Sequence, residues 1–322
     1  MEKLHSLKLG TTFSQLQCHY LGMDYKKTFK EIIPLNFDYI RLCAYWNEIE
    51  KIKGKFDFIV LDWLIKQCGK HSIKIVLAVG MKTPRWPEFH FPKWIEEICN
   101  TTRTDKSLDN DEKLAEQALI FVKKVIKRYK NRPICYWQIE NEALNKVGVA
   151  NRRYLSKEFI EKEIKLLKKH VPKSKILLTN SINMFPLDKS DEKIFKDSIA
   201  LADAIGINVY TKVPINSRHY IKPLPFFWKK LARWHKELTE SKKQAWAVEV
   251  QAEPWEHNKL VAIDKLEYPS TSPEAMFKLV NRLVKLNYNP ILLWGCEYWV
   301  WHKQQGSLIW IEAISKLKKP FA

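Results

Sequence analysis

The sequence predicts an α/β fold, a single (β/α)8 or TIM barrel, on three observations. Eight short apolar runs of strand length recur along the 322 residues, and helical patterns separate them. No Ser/Gly/Pro-rich spacer, low-complexity tract or short-period repeat interrupts the alternation. A chain that is 46% hydrophobic can bury one large core, so residues 1–322 are expected to form one domain.

The strand-like runs fall at Ser6–Thr12, Tyr39–Cys43, Ile73–Val79, Ile134–Ile139, Lys175–Leu178, Ala204–Val209, Ala245–Val250 and Ile291–Gly295. They are continuous apolar stretches rather than alternating ones, the pattern of parallel strands buried on both faces. Between them, Lys113–Tyr129, Lys157–His170, Phe226–Thr239 and Pro273–Leu286 repeat apolar residues three and four apart, as amphipathic helices do. Lysines such as Lys123, Lys124, Lys127, Lys162, Lys165, Lys168, Lys169, Lys316 and Lys318 occupy the opposite faces. The net charge of +19 therefore reads as solvated helix faces, and no specific nucleic-acid partner is expected.

In such a barrel the functional residues follow the strand ends. The fourth run ends Cys-Tyr-Trp-Gln-Ile-Glu-Asn-Glu across 135–142, entered through Arg132-Pro133, and so delivers Asn141 and Glu142 to a strand end. A helix N-terminus with Asn141 as its cap is the other reading of these residues. The seventh run, Ala-Trp-Ala-Val-Glu-Val, carries a second carboxylate, Glu249, and Glu253 before Pro254-Trp255 is its rival. The other ends carry Arg41, Tyr45, Trp46 and Asn47; Lys82, Arg85, Trp86 and Glu88; Tyr210; and Glu297, Trp299, Trp301 and His302. Six tryptophans, Trp46, Trp86, Trp255, Trp294, Trp299 and Trp301, fall near these ends, where indole faces suit the CH-rich faces of sugar rings. Trp63, Trp228 and Trp234 sit in helical patterns and read as core.

Other chemistries find no pattern. The glycines form neither a dinucleotide nor a P-loop motif, and His90, His219, His257 and His302 lack metal-ligand spacing, so no cofactor and no metal are expected. Six widely spaced cysteines without a CxxC pair read as reduced thiols. Met1–Lys8 has no apolar signal region and no run approaches the length of a membrane span, which predicts a cytoplasmic protein without membrane attachment.

The stretch from Ile40-Arg41-Leu42 through Tyr45-Trp46, Ile49-Glu50 and Gly54-Lys55-Phe56-Asp57-Phe58 to Leu61-Asp62 resembles the second strand and loop of family 42 β-galactosidases. Trp137-Gln138-Ile139-Glu140-Asn141-Glu142 resembles their strand-four motif. Both families 42 and 5 belong to glycoside hydrolase clan A, whose retaining enzymes carry an acid/base at the end of strand four and a nucleophile at strand seven. The resemblance implies a retaining β-glycoside hydrolase with Glu142 as acid/base, Asn141 toward the sugar 2-hydroxyl and Glu249 as nucleophile. It implies Arg41 and Tyr210 around the nucleophile, and Trp294 or Trp299 beneath the sugar; Trp46, Trp86 and Glu253, read from the strand ends themselves, are expected as further substrate contacts. A retaining mechanism requires the two carboxyls about 5 to 5.5 Å apart. A non-catalytic carbohydrate-binding barrel is the alternative, and turnover of a glycoside separates the two. The chain lacks the cysteine cluster and later domains of family 42, so neither the sugar nor the oligomeric state transfers.

Overall fold

The computed structural model describes residues 7–146, 148–182, 190–259 and 263–317. Ser6 of the first expected strand, the part of the Met1–Lys8 segment that precedes residue 7, and Lys318 lie outside them. Eight strands succeed one another in chain order in a closed barrel: β1 (Leu9–Thr12), β2 (Tyr39–Cys43), β3 (Lys74–Val79), β4 (Ile134–Ile139), β5 (Ile176–Asn180), β6 (Ala204–Val209), β7 (Gln244–Gln251) and β8 (Ile291–Trp294). Their side chains are buried almost throughout, which is why each reads as an unbroken apolar run. The chain divides into two compact units, Met1–Ile40 with Ile182–Leu187 and Ile207–Ala322, and Arg41–Ser181 with Asp188–Gly206.

In the first unit β8 lies between β1 and β7, parallel to both, with Leu9 opposite Ile291 and Trp294 opposite Gln251. Helix Pro225–Glu240 starts on a proline that fixes the first turn and buries Phe227, Leu231, Trp234 and Leu238 along one stripe. Helix Pro273–Lys285 is capped by Ser272, whose hydroxyl accepts the Ala275 N–H. The residues after β8 form a helix. Gly295, at φ 117°, turns the chain and helix Cys296–Gln304 begins at once, carrying Glu297, Trp299, Trp301 and His302. Residues 296–302 are all buried, so this helix shows no amphipathic period in the sequence. A short antiparallel pair, Val213–Pro214 with Tyr220–Ile221, follows β6.

In the second unit β4 is flanked in parallel by β3 and β5, with Trp137 opposite Leu77 and Ile176. Helix Glu112–Tyr129 is capped by Asp111 and buries Leu114, Ala118, Phe121, Val122 and Val125. Helix Lys157–His170 is capped by Ser156, and its buried stripe of Phe159, Ile160 and Leu167 includes one charged residue, Glu163.

Candidate active site

In the second unit the chain leaves β4 through two non-glycine residues in the left-handed region, Glu140 at φ 57° and Glu142 at φ 46°. That geometry excludes the helix N-terminus reading, since a helix begins with negative φ at every position. Each such residue is costly, and neighbouring contacts hold both. The Thr179 hydroxyl at the end of β5 accepts the Glu142 backbone N–H at 2.8 Å and donates to Asn141 Oδ1 at 3.1 Å. Gln138 Nε2 donates to the same Oδ1 at 3.1 Å and to the Glu140 carbonyl at 2.9 Å. With Oδ1 accepting two donors, the orientation of the Asn141 amide is fixed and its NH2 is the group left to donate to a ligand. Arg41, fully buried at the second strand, donates to Gln138 Oε1 at 3.1 Å, so one amide ties β2 to the strand-four turn.

The loop after β3 closes on the same turn. Lys82 is fully buried; its Nζ donates to the Glu142 carbonyl at 3.0 Å and pairs with Glu88 at 3.1 Å. His90 donates from its ring to the Arg85 carbonyl, and burial pushes its pKa down to about 4, so the ring is neutral in the folded chain. Trp86 projects from this loop and is 52% exposed. Trp46 differs: its ring stacks on Phe121, its indole N–H is spent on Glu50, and it has no face open to a ligand.

In the first unit Glu249 lies on β7 with 4% of its surface exposed, and the Tyr210 hydroxyl donates to its Oε2 at 2.8 Å. Tyr210 in turn packs on the Trp255 ring, their centroids 5.0 Å apart. Two residues further along β7, Gln251 accepts the Thr211 N–H at 2.8 Å, which ties the loop after β6 to the seventh strand. Glu253 lies beyond the strand, where Gln17 donates to it at 3.4 Å and Gly295 leaves room for its Cβ and Cγ. Trp294 ends β8 with 9% of its surface exposed, whereas Trp299 is fully buried and donates to the Ala252 carbonyl at 2.7 Å. Trp301 stacks on Tyr298. Among the six tryptophans, Trp86 and Trp255 present the most open rings, and Trp46 and Trp299 serve packing.

Reading the sequence did not single out Thr179, Gln138, Glu140 or Glu163. Gln138 and Glu140 carried a usable signal, being polar residues inside a run otherwise reserved for a buried strand. Thr179 carried none, because its role depends on β5 lying beside β4.

The sequence model of glycoside hydrolase family 42, described as beta-galactosidase, matches residues 23–161, a segment that contains Arg41, Asn141 and Glu142 and ends before β7. A beta-galactosidase of Halorubrum lacusprofundi is 26% identical over 139 residues, 38% of this chain and 19% of that enzyme. A solved beta-galactosidase structure from the same haloarchaeon superposes at a TM-score of 0.59 and 14% identity, covering 89% of this chain and 52% of that one. The cold-adapted beta-galactosidase of Rahnella sp. R3 gives 0.64 at 12% identity over 98% of this chain and 56% of its own. Xylanase 10B of Thermotoga maritima gives 0.59 at 16% identity over 91% and 84%. The chain is thus similar to the family 42 model over residues 23–161, shares its barrel fold with these structures, and spans about half the length of the galactosidase structures it matches.

Proposed function

We propose that the chain is a retaining β-glycoside hydrolase, with Glu142 as general acid/base, Glu249 as nucleophile, and residues 1–322 acting as one catalytic domain. The observation that carries this reading is the position of one glutamate at the end of the fourth barrel strand and one on the seventh, each with specific hydrogen-bond partners in its own unit. Two carboxyls at these strands can perform both halves of a double displacement. Glu249 attacks the anomeric carbon as Glu142 protonates the leaving oxygen; Glu142 then takes a proton from the water that releases the glycosyl group. The hydroxyl of Tyr210 orients Glu249 by donating to one of its oxygens, and the fixed Asn141 NH2 suits a sugar 2-hydroxyl. Arg41 adds positive charge beside the strand-four turn. The position of Glu249 within β7 favours it over Glu253, which lies past the strand.

The substrate class is an oligo- or polysaccharide or smaller β-glycoside, with Trp86 and Trp255 as ring platforms and Trp294 as the floor. The reading requires no cofactor. Six free cysteines suit a reducing cytoplasm, and among the described residues no helix is long and apolar enough to cross a membrane.

A panel of aryl β-glycosides tests this, assayed with wild type, Glu142→Ala and Glu249→Ala. Glu249→Ala should be inactive on all of them. Glu142→Ala should still form the glycosyl intermediate from substrates with good leaving groups, and added azide should restore turnover with a β-glycosyl azide as product. Rescue of Glu249→Ala to an α-azide would exchange the two roles. Sugar binding without turnover by wild type would leave a carbohydrate-binding barrel instead.

A further inference from the structure

Two carboxyls of the second unit, Glu140 and Glu163, take no part in the double displacement, and Glu140 is joined to Glu142 through Lys82. Both are wholly buried, Glu140 in the turn leaving β4 and Glu163 on the packed face of helix Lys157–His170. Glu140 accepts the backbone N–H groups of Met81 and Lys82 at 2.8 and 2.5 Å. Gly80 makes that approach possible: a Cβ there would stand 2.1 Å from Glu140 Cδ. The Glu163 carboxyl lies against that of Glu140, and among the described residues no group donates to either Glu163 oxygen. A hydrogen bond between two carboxyls needs a proton, because two carboxylates are acceptors only. The pair therefore holds one proton between them, as closely apposed acids do.

The surroundings decide where it sits. Burial pushes both groups upward, and the negative charges of Glu140 and Asp109 push Glu163 further. The backbone N–H groups of Lys82 and Met81, and the Lys82 charge, pull Glu140 back down, so Glu163 is the acid and Glu140 the acceptor. The charged groups around the pair are Lys82 with its partner Glu88 on the loop after β3, Glu142 beyond the turn, and Asp109, which is engaged by Ser156.

We propose that Glu163 and Glu140 are positioning residues: sharing one proton, they anchor the Gly80–Lys82 turn, whose lysine holds the backbone from which Glu142 works. The inference rests on the reading of Glu142 as acid/base. The contacts run without a gap from the Glu163 carboxyl to Glu140, from Glu140 to the Lys82 N–H, and from Lys82 Nζ to the Glu142 carbonyl. Loss of the shared proton puts two unscreened negative charges in contact and breaks the chain at its first link. The sign follows from linkage. A carboxyl raised above its unfolded value contributes stability that is fully present below about pH 4.3, the ordinary glutamate value, and is lost as pH rises through the raised value.

Glu163→Gln tests this, because the amide still donates to Glu140 and cannot ionise. Infrared difference spectra of the whole protein at pH 7.5 should show a protonated buried carboxyl in wild type that is missing in Glu163→Gln. The melting temperature of wild type should fall more steeply between pH 5 and 8 than that of the variant. On an aryl β-glycoside the ratio of kcat at pH 8 to kcat at pH 6 should rise at least threefold in Glu163→Gln, with KM changed less than twofold. Glu140→Gln, which puts an NH2 against the two N–H groups, should cut kcat at least tenfold, again with KM little changed, and should speed hydrogen exchange at Met81 and Lys82. An unaltered carboxyl band, or an unaltered pH ratio together with unaltered exchange, would overturn the inference. If wild type turns over no glycoside while the band, the melting slope and the exchange behave as stated, the shared proton and the anchored turn stand and the hydrolase reading falls.

Discussion

Tyr210 donates to Glu249 a hydrogen bond that gives the proposed nucleophile a defined orientation within its unit. A hydrogen bond to a charged group is worth about 1.5 to 3 kcal/mol. Tyr210→Phe keeps the ring contact with Trp255 and deletes only the hydroxyl, so kcat/KM on an aryl β-glycoside should fall roughly 10- to 100-fold. The fall should sit mainly in kcat, and a change confined to KM would mean that Tyr210 only binds substrate. Glu142 and Tyr210 stand out in the sequence because they follow strand-length apolar runs, and Glu249 because it interrupts one. The burial of Trp46 and Trp299 was not legible, because an indole beside a strand end looks the same whether its face meets Phe121 or open solvent. Nor was the pairing of Glu140 with Glu163, which brings together two residues on different elements.

Strands were readable at nearly their full lengths, since burial on both faces leaves an unbroken apolar signature. β2, β4 and β6 match their expected bounds, and the other five shift by a few residues at their ends. The register shift between Ile75 and Val76 was not readable, since it depends on the partner strand. Helix Cys296–Gln304 escaped notice for the opposite reason to the amphipathic helices, being buried on every side. At the end of β3 the decisive residue is the smallest one. Gly80 sits at φ 145° with the Glu140 carboxyl in the space a Cβ would fill, so Gly80→Ala meets both backbone strain and a clash that backbone contacts on Glu140 prevent from relaxing. The cost should be about 2 kcal/mol or more, a fall of roughly 3 °C or more in melting temperature. Gly54→Ala is the control: Gly54 also has positive φ, but nothing lies within 4 Å of its added Cβ. Calorimetry should find Gly80→Ala clearly the less stable; equal losses would mean that Glu140 can move aside freely.

Across the whole chain the largest unexplained quantity is charge, 55 Lys and Arg against 36 Asp and Glu. Much of the excess lies on solvent-facing stripes of helices whose other faces are buried. Lys123, Lys124 and Lys127 are exposed on helix Glu112–Tyr129, and Lys162, Lys165 and Lys169 on helix Lys157–His170. Such stripes solubilise a chain without forming a shaped recognition surface, since lysines of this kind act as flexible, hydrated point charges. They do attract polyanions. Duplex DNA should therefore bind at low salt through phosphate contacts alone, with dissociation constants of about 10⁻⁴ to 10⁻⁶ M at physiological salt and a steep loss as salt rises. Fluorescence anisotropy with two unrelated duplexes, titrated at about 50 and 200 mM salt, checks this. The two sequences should give the same affinity at each salt, because phosphate contacts carry no sequence information. A duplex held tightly at the higher salt, or one sequence preferred over the other by a factor of about ten or more, would require base contacts that side chains on a solvated helix stripe do not provide, and would assign the charge a partner of its own.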